Sequence, residues 1–196
     1  MAQRPEGSFD RPPTPWRDEG NATLTAAPVR LIRPTVADIP FIMATERIEG
    51  YEHLVGRSDE PWHRDTLDDP CFAYFVGYLD DAPIGFAILR DWGSPQQVTH
   101  IKRFAVVRPG QGLGKPLLRA VVDAVFAQSS AYRLSLGLFP ENARARRAYE
   151  GAGFKPEGVS RGSAFFNGVN RDELVMSILR PEWAKTRVPG DSPIAG

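Results

Sequence analysis

Three glycines in five residues, Gly110-Gln111-Gly112-Leu113-Gly114, separate a β-branched run ending at Val107 from a helical pattern that starts at Lys115. Glycine permits positive φ and lets backbone approach a ligand closely. The N–H groups at the start of the following helix have no intrahelical acceptor, and with the helix dipole they make an anion site suited to phosphate. The turn is not a P-loop, because no Gly-Lys-Ser/Thr ends it, and it lacks the Gly-x-Gly-x-x-Gly spacing of a dinucleotide fingerprint. The spacing alone therefore fits either a phosphate cradle or a plain tight turn.

A second segment, Asn142-Ala143-Arg144-Ala145-Arg146-Arg147-Ala148-Tyr149-Glu150-Gly151-Ala152-Gly153-Phe154, follows the next strand pattern. Asn142 is a favoured N-cap, and Gly153 suits the left-handed residue that ends a helix. At ~100° per residue, Asn142, Ala145 and Tyr149 share one face. Taken alone, that face fits a helix with a core tyrosine. The lone Cys71 excludes an internal disulfide and a Cys-clustered metal site. Its apolar surroundings, Pro70 to Phe75, predict a buried thiol acting as a small hydrophobe.

The elements needed to position these groups are legible in the periodicity. Val29–Arg33 reads as a strand, Pro34 to Glu49 as a helix, and 58–67 as a second short helix. Phe72–Leu79 and Ile84–Arg90 form a hairpin about Asp80-Asp81-Ala82-Pro83. A long strand is predicted over Gln97–Val107 and a helix over Lys115–Gln128, where Leu117, Leu118, Val121, Val122 and Val125 make an apolar stripe. Strand 133–139, helix 142–151 and strands 154–162 and 171–179 complete the series. The β-α-β stretch at 97–139 requires a parallel crossover, so the chain is α/β with a mixed sheet.

Residues 1–28, rich in Pro, Arg, Asp, Glu and Gly, read as a disordered or extended N-terminal segment. The folded domain is expected over 29–180, with 181–196 as a tail that Trp183 could anchor. The start lacks the apolar run of a signal peptide, and no window approaches the length of a membrane span, so a cytoplasmic protein without a membrane partner is expected.

Strand, Gly-x-Gly-Leu-Gly turn, helix, strand, then Asn-x-x-Ala-x-x-x-Tyr-x-x-x-Gly-Phe resembles the Gcn5-related N-acetyltransferase (GNAT) superfamily over about residues 29–180. The resemblance implies a single-domain sheet of about seven strands flanked by about four helices, with acetyl-CoA as cosubstrate and no metal. It further implies that amides of Gly110, Gln111, Gly112, Leu113, Gly114 and Lys115 hold the pyrophosphate. Backbone of Phe104, Ala105 and Val106, with Leu136 to Phe139, would pair with the pantetheine arm. Asn142 would lie near that arm and Arg144 on the cofactor side, while Tyr149 would protonate the departing thiolate. The reaction implied is direct acetyl transfer to a primary amine in a ternary complex. A non-catalytic acyl-CoA-binding or sensor module of the same fold is the alternative. Dimerisation is common in such folds.

Two positions depart from the family pattern. Pro109 stands where relatives carry Gln or Arg, leaving Gln111 or Arg108 to compensate. His100 stands where many relatives carry a Glu general base, and its ordinary pKa of ~6.5 suits that role. Glu46 and Glu49 are further candidates, ahead of His53 and His63. The late stretches 157–161 and 171–177 resemble the subgroup near the ribosomal-protein N-terminal acetyltransferases, hinting at an α-amine of a peptide or amino acid.

The charge composition fits. The chain carries 24 basic and 24 acidic residues, net zero, which argues against bulk nucleic-acid binding. The zero is a cancellation: residues 1–101 hold 9 basic and 16 acidic residues, whereas 102–147 hold 9 basic and 2 acidic. Within Glu46–Asp69, eight acidic residues face three Arg. If that segment lines the acceptor cleft, the partner is a small-molecule or peptide amine of cationic character.

Overall fold

The computed structural model describes residues 28–187 of the 196-residue chain. The expected N-terminal segment up to residue 27, and the tail beyond 187, lie outside the described residues.

A seven-stranded sheet runs in the order β1-β2-β3-β4-β5-β7-β6. Its strands are β1 (Arg30–Ile32), β2 (Phe72–Leu79), β3 (Ala82–Arg90), β4 (Val98–Val106), β5 (Arg133–Leu138), β6 (Lys155–Phe166) and β7 (Val169–Leu179). Every neighbouring pair is antiparallel except β4 and β5, which the crossover helix α3 (Gly114–Gln128) makes parallel. The remaining helices are α1 (Ile39–Glu46), α2 (Glu60–Asp68), α4 (Ala143–Gly151) and α5 (Arg180–Lys185).

Strand alternation sends apolar side chains to both faces, so two cores form. On one face the α3 stripe of Leu117, Leu118, Val121, Val122 and Val125 packs on Ala87, Leu89, Ile101, Leu134 and Leu136. On the other, Ile42 of α1 with Tyr51 and Val55 covers Tyr74, Val76, Phe86, Ile88 and Ala105. No helix among the described residues is long and apolar enough to cross a membrane.

Three local readings are corrected. The first predicted helix is a 3-10 turn, Val36–Asp38, followed by α1, which stops at Glu46 rather than Glu49. Thr35 and Asp38 cap the turn reciprocally. The expected tail at 181 instead continues as α5, where Trp183 donates to Asp123 at 2.6 Å and stacks against Phe126. Cys71 is exposed, not buried. It sits one residue before β2, in a turn held by Asp69, which accepts from the Cys71 amide at 2.8 Å. The Asp69 carboxylate also raises the thiol pKa, so the thiolate is disfavoured.

Candidate active site

Strands β4 and β5 pair from Val98↔Arg133 to Ile101↔Leu136, and then part. Lys102 and Gly137 are the next residues in each strand, and both line the opening. A cavity of about 550 Å³ passes through it. One end lies at the glycine turn and α4; the other is ringed by β4, the loop between α1 and α2, β5, β6 and β7.

At the first end Pro109, Gly110, Gly112, Gly114 and Lys115 line the wall. Gly110 and Gly112 have φ of 89° and 80°, which L-residues rarely adopt, and the turn they make feeds α3. Gly114 and Lys115 open the helix, so their amides have no intrahelical acceptor. Gln111 and Leu113 do not line the cavity: Gln111 is exposed, its amide bonded to Arg108 C=O at 3.4 Å, and Leu113 packs on the core. Lys115 and Arg144 add cations to the wall. This cradle fits a multiply anionic group at a helix N-terminus.

The expected face of α4 is present. Asn142 caps the helix by accepting from the Ala145 amide at 3.1 Å, and Asn142, Ala145, Ala148 and Tyr149 all line the cavity. Tyr149 is 8% exposed and packs against the rings of Phe104 and Phe154. No described protein group bonds its hydroxyl, which faces the cavity. Burial, with a smaller contribution from Tyr51, raises its pKa, so the phenol is neutral at physiological pH.

Of the three expected β4 residues, Phe104, Ala105 and Val106 all border the cavity, but Val106 is already engaged. Tyr51 donates its hydroxyl to Val106 C=O at 3.0 Å and accepts from Val106 N–H at 3.3 Å. Val107 N–H bonds Ile84 across β3, so strand parity turns Phe104 toward the opening with Val106. Phe104 thus retains backbone groups for an extended ligand.

Neither expected base reaches the cavity. Glu46 is fully buried behind β4, paired with Arg103, accepting from Ser58 N–H at 3.1 Å, with His63 Nε2 3.4 Å away. Burial alone would raise its pKa; the His63 ring, the Arg103 guanidinium and the Ser58 amide outweigh this and hold it below the ordinary glutamate value. It is a clamp on Arg103. His100 points to the same face lower down, its Nδ1 3.2 Å from Ser135 Oγ. Burial, then Arg90, push its pKa down to about 4, leaving it a weak base.

The acidic segment Glu46–Asp69 also takes up other work. Asp59 caps α2, Asp69 caps Cys71, Glu60 pairs with Arg64 and Glu52 with Arg57, and none of its eight acids lines the cavity.

The carboxylate that does line the cavity is Glu173 of β7. It lies over the β5 backbone: a Cβ on Gly137 would meet its Oε1 at 2.6 Å, so Gly137 makes room for it. Ser163 of β6 donates to Oε2 at 2.8 Å. A signal existed in the sequence, because Leu174, Met176 and Ile178 alternate into one core and leave Glu173 on the opposite face. Arg171 completes the ring: it stacks 3.5 Å from the Phe139 centroid, pairs with Glu141, and donates to His53 C=O at 2.9 Å. Asn167 adds a bond to Glu52 C=O at 3.0 Å. The β6–β7 hairpin is thereby tied to the α1–α2 loop across the acceptor end.

Comparison with known proteins agrees with this geometry. Residues 39–154 match the Acetyltransferase (GNAT) family. A probable N-acetyltransferase, YjcK, of Bacillus subtilis (strain 168) is 37% identical over 73 residues, spanning 37% of this chain and 40% of that protein. Two solved structures are similar in fold. Aminoglycoside acetyltransferase AAC(6')-Ib in complex with coenzyme A has a TM-score of 0.69 at 21% identity, covering 82% of this chain and 99% of that one. Spermidine N-acetyltransferase from Vibrio cholerae in complex with CoA and spermine has a TM-score of 0.68 at 21% identity, covering 80% and 98%.

Proposed function

We propose, from the premise that this chain belongs to the GNAT acetyltransferase family, that it transfers an acetyl group from acetyl-CoA to a primary amine by direct attack in a ternary complex. The observation that carries this reading is the two-ended cavity between the parted β4 and β5, with a phosphate cradle at one end and a lone carboxylate at the other. The catalytic domain is taken as 29–180, with α5 docked against it.

The glycine turn, Lys115 and Arg144 would hold the cofactor's phosphates. The backbone of Phe104 would pair with the pantetheine arm, directing the thioester to the opening. An alkyl amine is mostly ammonium at pH 7 and cannot attack until it loses a proton. Glu173 is placed to accept that proton. As the amine nitrogen bonds the acetyl carbon, the C–S bond breaks and the electron pair leaves on sulfur. Tyr149, held neutral by burial, donates its proton to that sulfur. No protein nucleophile is needed, in keeping with the unactivated Cys71. The late segment resembling the ribosomal-protein N-terminal acetyltransferases supports an α-amine among the acceptors.

Acetyl-CoA at about a hundredfold excess over Kd should stabilise the fold by about 2.7 kcal/mol, a Tm rise of several degrees that ATP and NAD do not reproduce. No rise at saturating acetyl-CoA ends this reading. Binding without thiol release across a broad amine panel would instead favour the sensor alternative. Tyr149→Phe should lower kcat by about a hundredfold with little change in acetyl-CoA affinity. Undiminished thiol release would remove Tyr149 from the proton-donor role.

A further inference from the structure

We infer that the acceptor is an amine that also carries an anionic group, an amino acid or the end of a short acidic chain, and not a bare polyamine. This rests on the acetyl-transfer reading above and specifies the occupant of the same cavity.

The argument starts from an irregularity in β4. Arg103 pairs with Ile88 and Ile101 with Leu89, so Lys102 is an extra residue with no partner on β3. Such a bulge re-aims side chains that strict alternation would send to opposite faces. Lys102 and Arg103 accordingly point the same way, both toward the Trp62 ring of α2: Lys102 Nζ lies 5.8 Å and the Arg103 guanidinium carbon 5.3 Å from its centroid. Both residues line the cavity.

Their charges are balanced differently. Arg103 is neutralised by the buried Glu46, which also fixes its position. Lys102 has no carboxylate partner among the described residues. Burial, then Arg103 and Arg90, lower its pKa, as expected for an ammonium in positive surroundings without a counter-charge.

Glu173 lines the same cavity, over Gly137, the β5 residue just past the point where β4 and β5 part. Among the described residues it forms no ion pair with Lys102, and both charges line the cavity. An ammonium at Glu173 with a carboxylate at Lys102 satisfies both walls. A polyamine would satisfy Glu173 but bring its second cation against Lys102, a like-charge contact that disfavours it. The acidic residues that would have welcomed a polycation, Glu46 to Asp69, are paired, capping or turned away from the cavity.

The test uses the full chain, acetyl-CoA and matched acceptors: an α-amino acid and 5-aminopentanoate, each beside its carboxamide, and 1,5-diaminopentane. In the wild type, kcat/KM for the acid should exceed that for its amide and for the diamine by about tenfold or more. Lys102→Met should bring the acid-to-amide ratio close to one, Lys102→Arg should restore it, and Lys102→Glu should shift the preference to the diamine. Equal or better use of the amides or the diamine by the wild type overturns the inference, with no variant required. A ratio unmoved by Lys102→Met overturns it as well. Absence of acetylation for every acceptor overturns the acetyl-transfer reading and this inference with it. Acetylation that ignores the carboxylate overturns this inference alone.

Discussion

Glu173→Gln lowers kcat/KM for primary amines by about a hundredfold or more and leaves acetyl-CoA binding intact. The substitution keeps the shape of the side chain and its bond from Ser163, but an amide cannot take up a proton. Glu173 is the single acidic residue among those lining the cavity, so no other carboxylate stands ready to replace it. The variant must then rely on acceptor molecules that are already neutral, a small fraction at pH 7. Its rate should climb about tenfold per pH unit toward the acceptor's own pKa, a steeper rise than the wild type shows. That difference in slope separates a chemical role from a structural one, since a distorted pocket would lower the rate at every pH alike. A variant within threefold of wild type, with an unchanged pH profile, would show that the proton leaves by another route.

Glu46→Ala should cost about 3–5 kcal/mol of stability, the range for breaking a buried pair by removing one partner. Glu46 is fully buried, and its loss strands a guanidinium whose side chain is only 9% exposed. It also leaves the Ser58 amide and the His63 ring facing a vacated space. Against the 5–15 kcal/mol typical of a whole domain, this is a large fraction, measurable by urea unfolding. A pH dependence follows with a definite sign. The Glu46 carboxyl is held below its ordinary value of 4.5 in the folded chain, so its contribution is fully present above that pH. It is lost as the pH falls below 4.5 through the folded value. The wild type should therefore lose stability more steeply than Glu46→Gln over that acid range. Parallel curves would mean that the clamp contributes little. Because Arg103 and Lys102 share the bulged wall, Glu46 variants that still fold should also show a raised KM for the acceptor.

These two carboxylates show where the sequence could be read and where it could not. By sequence Glu46 is a candidate base because it lies on the first predicted helix, which in the family it resembles borders the acceptor site. Its partner, Arg103, lies 57 residues away, and nothing local announces the pairing. Glu173 lies in a strand whose apolar alternation places it opposite the core filled by Leu174, Met176 and Ile178. Its importance emerges only when Gly137 and Ser163, from two other strands, come beside it. His100 was placed correctly on β4, but burial and the surrounding Arg90, Lys102 and Arg133 remove the basicity that its residue type suggested.

The cofactor half was the more legible. A phosphate cradle is made of contiguous backbone, so a glycine turn entering a helix carries its geometry within a few residues. The N-cap and one-face arrangement of Asn142, Ala145 and Tyr149 follow likewise from helical period. Even there, the engagement of Val106 by Tyr51 depends on a loop 55 residues distant.

The sequence by itself determined the order of the elements, the β2–β3 hairpin, the parallel crossover and the glycine turn at the head of α3, because turn chemistry and side-chain periodicity act over a few residues. Tertiary structure alone decided which charged groups face the substrate. Charge balance is set by through-space pairing, and a single extra residue in β4 brings the consecutive Lys102 and Arg103 to the same side of the sheet. Five acids of the Glu46–Asp69 segment were taken up in caps and ion pairs and none of its eight lines the cavity, so the acceptor end came to hold one carboxylate and one lysine that has no carboxylate partner among the described residues.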